Sequence, residues 1–304
     1  MGRFSGRGDC MRLLLASLLV ALPGCGGLFP SGGADARAAL VEALTFHAGF
    51  DGEVDAGYAQ GDFHVYTAPS GSFKEARPGL PATVSVAHGQ GRYGDALRFE
   101  KKSKDLVFFR AEKNVAWSPG EFSGTVSFWL SLDPEHDLEP GYCDPIQLTD
   151  KKWDDACLWV DFSKDEVPRL FRMGAFPDFR EWNPKATAWN DVPEAERPQI
   201  VVRRHPFERG KWTHVCLTFQ GFNTGRDDAS AKLYLNGELQ GEMGGKRRFT
   251  WDVTRASIVL GVSYVGLYDD LAIFRRALAH EEVRALMRLE GGVGPLASAR
   301  TTSK

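Results

Sequence analysis

The sequence is short of three things, and each shortage closes off a class of function. It has no excess of basic charge: 37 Lys plus Arg stand against 40 Asp plus Glu, a net charge of −3 with a pI near 6.2. Such a chain presents no field for polyanions, which argues against nucleic-acid binding. Long apolar runs are missing too. The longest, Leu13 to Leu22, is ten residues, about half of what a helix needs to span a bilayer. Cysteine is scarce at five, and the seven His form no H-E-x-x-H and no paired Cys/His spacing, so catalytic zinc has no support. What is present is globular: 43% hydrophobic and 25% charged residues exclude wholesale disorder. Aromatics at 12%, with 33 Gly and 16 Pro, favour many strands joined by tight turns.

The ten-residue run follows Arg3, Arg7 and Arg12 and precedes Pro23-Gly24-Cys25, the layout of a secretory signal. Leu22-Pro23-Gly24-Cys25 also resembles a bacterial lipobox. Residues 1–24 are therefore expected to be a lipoprotein signal peptide, with Cys25 acylated as the first mature residue and the protein lipid-anchored at the cell envelope. Plain secretion is the alternative. Residues 25–40 read as a flexible linker on their Gly/Pro/Ser content. Three thiols then remain, Cys143, Cys157 and Cys216; Cys143 and Cys157 are close enough in sequence to close a loop, and whether they pair stays open.

From residue 41 to 290 the pattern is of short strands. Val126, Phe128, Leu130 and Leu132 alternate with Thr125, Ser127, Trp129 and Ser131, a period of two that specifies a strand with one apolar face. Val215, Leu217 and Phe219 repeat it. Leu233 and Leu235 precede Asn236-Gly237, the strongest local hairpin signal because both turn residues take positive φ. Two more strands are expected at 256–262 and 270–274. Helical periodicity appears at 281–289, and the tail 291–304 reads as disordered. The expected fold is all-β: an antiparallel two-sheet sandwich with a short C-terminal helix. Residues 174–206, rich in Trp, Pro and charge, read as a loop insertion.

Six motifs, in order, resemble the laminin-G-like jelly-roll family of the concanavalin A-like lectin and glucanase architecture. They are Leu44 to Asp51, Gly91 to Phe99, Phe122 to Leu132, Trp212 to Val215, Leu233 to Gly237, and Gly266 to Phe274 followed by Arg276-Ala277-Leu278. The resemblance implies a jelly roll and a non-catalytic binding module that recognises glycan or envelope protein. It also implies one structural Ca2+ held by Asp51, Asp269 and the Gly94 carbonyl, since calcium takes six to eight oxygens. Trp153, Trp182 and Trp189, near loops, are the candidate ligand-binding aromatics; Trp129, Trp159 and Trp212 are expected in the core. Glucanases of this architecture need two carboxylates about 5–5.5 Å apart, spelled E-x-D-x-E or E-x-D-x-x-E on a strand. Neither spelling is read in this sequence, so catalytic residues are expected to be none. The alternative is a divergent glycan-active hydrolase or lyase using Asp178, Glu181 and Asp191 of the insertion. Asp154, Asp155 and Asp161 are further acidic candidates. Lys246-Arg247-Arg248 reads as a solvated turn, and Gly89 to Gly94 spells G-x-G-x-x-G without the helix a dinucleotide site requires.

Overall fold

The structure is a computed structural model that describes residues 1–2, 33–69 and 72–302. Residues 3–24 of the expected signal peptide and Cys25 lie outside these residues. In chain order the strands are β1 Leu44–Ala48, β2 Tyr58–Ala59, β3 Tyr66–Pro69, β4 Arg77–Pro78, β5 Val84–Ala87 and β6 Ala96–Phe99. There follow β7 Asp105–Arg110, β8 Phe122–Ser131, β9 Cys143–Thr149, β10 Cys157–Phe162, β11 Phe171–Phe176 and β12 Gln199–Val202. The last are β13 Thr213–Phe222, β14 Ser230–Leu235, β15 Glu238–Gly244, β16 Ser257–Val262 and β17 Gly266–Phe274. The helices are α1 Gly33–Ala43, α2 Phe179–Trp182, α3 His280–Met287 and α4 Gly294–Thr302.

One sheet has the order β15-β14-β13-β8-β17-β1-β2, with β6 and then β5 joined beside β17; the other runs β12-β11-β10-β9-β16-β7-β3-β4. Pairing is antiparallel throughout, as in β13 on β8 and β10 on β9. Period two did its work here: Val126, Phe128, Leu130, Val215, Leu217, Phe219, Leu233 and Ile273 are all buried. They pack in one cluster with Ile146, Leu148, Leu158, Val160, Ile258 and Leu260 of the facing sheet, the alternate inner face of each strand. Asn236 and Gly237 turn β14 into β15 with φ of 48° and 77°, as the hairpin rule requires.

Helices correct two expectations. The segment read as a linker to residue 40 enters α1 at Gly33, and Leu40 and Ala43 are buried. The tail read as disordered forms α4, with Leu296 and Ala297 buried. Both helices join Val283 and Leu286 of α3 in an apolar cluster over the outer face of the first sheet. Thr125, Ser127 and Trp129, on the face opposite Val126 and Phe128, are buried as well, Trp129 against Tyr93, His214 and the Arg92 guanidinium. Isolated short helices are marginal, so their burial against the sheet is what orders them.

The cysteines settle into separate places. Cys143, Cys157 and Cys216 are free and buried. In the β9–β10 hairpin Leu158 faces Leu148 while Cys143 faces Phe162, so Cys143 and Cys157 stand at opposite ends of it, several strand steps of ~3.3 Å apart.

Candidate functional site

The outer face of the second sheet has no layer like that of α1, α3 and α4, only the short α2 packing Trp182 against Phe176, and β9, β10 and β11 line up its side chains. Register puts Asp161 opposite Arg172, Trp159 opposite Gly174 and Cys157 opposite Phe176 on β10 and β11, with Gln147 of β9 on the other side of Trp159. The β9–β10 ladder slips between Val160 and Phe162, where Ile146 and Cys143 are the partners. Ile146 and Cys143 both enter the inner core. The extra residue between them lets Asp144 turn to the outer face, the usual effect of a bulge.

The result is a cleft of about 270 Å³. Tyr142, Trp153, Trp159, Trp189 and Val262 wall it, and Asp144, Gln147, Asp161 and Arg172 supply its polar groups. Trp159 lies over Gly174: a Cβ at that glycine would stand 2.2 Å from the indole Cε2. The indole stacks on Phe176 with centroids 5.5 Å apart and donates from Nε1 to the Trp153 carbonyl at 2.9 Å. Trp153 and Trp189 meet edge to face at 5.0 Å, and the Arg197 guanidinium caps the Trp189 ring at 4.2 Å. Trp153 and Tyr142 remain exposed to solvent.

Electrostatics are concentrated in two buried carboxyls and one guanidinium. Arg172 donates from Nε to Asp161 Oδ1 at 2.8 Å and from its terminal nitrogen to Oδ2, a bidentate pair. Asp144 receives the Gln147 amide and has no cation of its own. Burial, and then the charge of Asp161, push the Asp144 carboxyl up to about 8; burial pushes Asp161 up to about 6, opposed by Arg172. Burial thus favours the protonated, donor form of Asp144, and the cleft sets it beside the Gln147 amide, the Asp161–Arg172 pair and aromatic walls.

Residues 110–284 match the sequence profile of the concanavalin A-like lectin/glucanases superfamily. This interval is more than half of the chain and contains every strand of the cleft. The chain belongs to the concanavalin A-like lectin/glucanase superfamily. No curated protein matches it in sequence. Among solved structures it resembles the botulinum neurotoxin serotype D ligand-binding domain in complex with N-acetylneuraminic acid, at 12% identity and TM-score 0.50, covering 83% of this chain and 52% of that one. It also resembles the binding domain of botulinum neurotoxin DC in a sialylated complex, at 10% identity and TM-score 0.51, covering 81% and 51%. Domain 4 of an extracellular arabinanase from Geobacillus stearothermophilus, solved with arabinotriose, has 17% identity and TM-score 0.49, covering 81% and 98%. This chain spans about half the length of the two toxin domains; at these identities the likeness is one of fold.

Not every candidate ligand-binding aromatic reaches the cleft. Trp153 and Trp189 do line the cleft. Trp182 does not: it packs edge-on against Phe176 at 5.0 Å and donates to the Asp154 carbonyl at 2.8 Å, supporting the cleft from behind. Trp159, expected in the core, is buried on the outer face instead, and Trp212 is half-buried. Residues 174–206 are not one loop, since they open inside β11 and include the whole of β12. Of the alternative catalytic carboxyls, Asp178 is committed to Thr250 and Lys151, and Asp155 accepts from Phe179 N–H. Neither Glu181 nor Asp191 lines the cleft. Contrary to the expectation that neither spelling occurs, Glu135 to Glu139 reads E-x-D-x-E, in a turn after β8 rather than on a strand. Its three carboxylates serve Arg169 N–H, Arg209 and Lys102 N–H.

The calcium residues meet at one turn through the wrong kind of group. Asp51 Oδ1 accepts from Asp95 N–H at 2.8 Å, and Asp269 Oδ2 from Tyr93 N–H at 3.0 Å. The Gly94 carbonyl accepts from Gly91 N–H at 2.9 Å. Carboxylates turned onto N–H donors are not a cation cage, which needs oxygens converging on one point. Among the described residues no group of three or more His, Cys, Asp or Glu could hold a metal. As placed, Asp51 Oδ1 and both Asp269 oxygens accept backbone N–H groups, and Asp51 Oδ2 is left open among the described residues.

Proposed function

We propose that the protein is a non-catalytic glycan-binding module whose ligand lies in the outer cleft of the second sheet. One observation carries the reading: aromatic walls from Tyr142, Trp153, Trp159 and Trp189 stand around Asp144, Gln147, Asp161 and Arg172. Sugar rings present apolar C–H faces to aromatics and hydroxyls to such polar groups, and a pre-formed, mostly apolar pocket with few convergent polar groups is the general form of a small-ligand site. The toxin domains of similar fold were solved with sialic-acid-type ligands, which supports a glycan as the class of partner here. On this reading Cys25 carries a lipid anchor and holds the module at the cell envelope, where glycan or an envelope protein would be within reach.

A second reading, hydrolysis, is favoured by the same two carboxyls, because neighbouring acids with separated protonation are what an acid and a nucleophile require. Against it, both oxygens of Asp161 are held by Arg172, which makes it a counter-ion. A glycan array on the domain from residue 33 onward, with reducing-sugar release measured on every hit, separates the two. Binding without release, weakened at least tenfold in Trp189→Ala, is the expected result. Release that disappears in Asp144→Asn would establish the hydrolase. Retention of the full-length Cys25→Ser protein on carbonate-washed membranes would remove the anchor.

A further inference from the structure

Lys246-Arg247-Arg248 does more than face water. We propose that this basic turn and the aromatic floor beside it form a second binding site, separate from the cleft, for the oxyanion group of an anionic ligand: a sulfate, phosphate or carboxylate. The three cations and Trp117, Phe249 and Trp251 line one pocket of about 460 Å³, with Asn223 and Thr250 as further polar groups. No carboxylate lines it. The pocket is built rather than accidental. Asn223 Oδ1 accepts from Phe249 N–H at 2.7 Å, Asn223 N–H donates to the Arg247 carbonyl at 2.8 Å, and Trp117 Nε1 donates to the Phe249 carbonyl at 3.0 Å. These bonds hold the basic turn against the aromatic floor.

Arg247 gives the site its direction. Its terminal nitrogen donates to the Gly244 carbonyl, but Nε is buried with no hydrogen-bond partner among the described residues. A buried donor left unmade is costly, and burial also lowers the Arg247 pKa, opposed by Glu181 and Asp227. An oxyanion in the pocket would offset the charge, which three neighbouring cations leave uncompensated. Lys246 makes no salt bridge among the described residues, while Arg248 Nε stands 3.6 Å from Asp178 Oδ2 as a loose ion pair, Lys151 and Thr250 bonding to Asp178 Oδ1. Asp227 is occupied by Lys246 N–H. The competing arrangement is a direct Glu181–Arg247 pair, since Glu181 Oε2 is also buried without a partner.

The test is a titration of the full-length chain with sodium sulfate, sodium phosphate or glucuronate against sodium chloride at matched ionic strength, followed by tryptophan fluorescence. A saturable response to at least one oxyanion is expected, and the arm that saturates identifies the group. Arg247→Gln should weaken it at least tenfold, and Glu181→Gln should strengthen it. Trp159→Ala, in the cleft, should leave it unchanged, so failure here and failure of the glycan reading are told apart. Should Arg247→Gln not fold, the Lys246→Ala, Arg248→Ala double variant takes its place. A response no different from chloride, or equal saturation in the variants, overturns the site.

Discussion

Gly174 on β11 and Trp159 on β10 stand opposite each other, and the indole occupies the space a side chain at 174 would need, with a Cβ only 2.2 Å from its ring. The flat aromatic wall of the cleft therefore depends on a missing methyl group on the neighbouring strand.

Gly174→Ala should displace the Trp159 ring. Overpacking of this kind costs about 1–3 kcal/mol. A lowered Tm and at least tenfold weaker oligosaccharide binding are expected, read by calorimetry. Unchanged binding would mean that Trp159 does not touch the ligand.

Arg172→Met should be far worse than the Arg172→Met, Asp161→Asn double variant. The single change leaves a buried carboxylate without its cation, at about 3–5 kcal/mol, whereas removing both partners is much milder. The single variant should also be less stable at pH 8 than at pH 5, because Asp161 can escape its buried charge by taking up a proton. Denaturant midpoints at the two pH values check both statements.

Stability should fall as the pH rises from about 4 to about 8. Asp144 and Asp269 are both pushed up to about 8, chiefly by burial. Through this window the folded protein holds protons that the unfolded chain has released, so its advantage is complete below the unfolded value and is lost on the way to the folded one. Asp144→Asn should flatten the slope of Tm against pH. Burial acts oppositely on His214, depressed to about 3; its contribution is present above the unfolded value and is lost as the pH falls from about 6.5 towards 3.

Leu296→Ala should destabilise the domain by about 2–5 kcal/mol, the usual cost of emptying a buried leucine site. Leu296 is fully buried in the cluster that α4 shares with α1 and α3. A change below 0.5 kcal/mol in the urea midpoint would return residues 294–302 to the status of a tail.

Melting curves in millimolar calcium and in chelator should coincide, because Asp51 Oδ1 already accepts from Asp95 N–H and the two Asp269 oxygens from Tyr93 and Asp270 N–H. A Tm that rises with calcium, as linkage demands of a ligand of the folded state, would show an ion at a site built differently.

Local pattern decided which segments are strands and where the hairpin turns. Alternation at 123–133 and the Asn236-Gly237 pair needed no distant partner, because side-chain period and positive φ are properties of a few neighbouring residues. The same alternation separates Trp159 from Leu158 and Val160, yet it carries no label for which face is inner. That was decided when the two sheets met, burying Leu158 and Val160 between them and leaving Trp159 on the outside. Likewise α1 and α4 lack a strong amphipathic period and are ordered only by each other and by the sheet beneath. The polar core of the cleft is assembled from Asp144, Asp161 and Arg172, each lone in sequence, by a bulge and a strand register that exist only once β9, β10 and β11 have paired. Charge could be counted along the chain; its neighbours, and therefore its protonation, were set by the sheet.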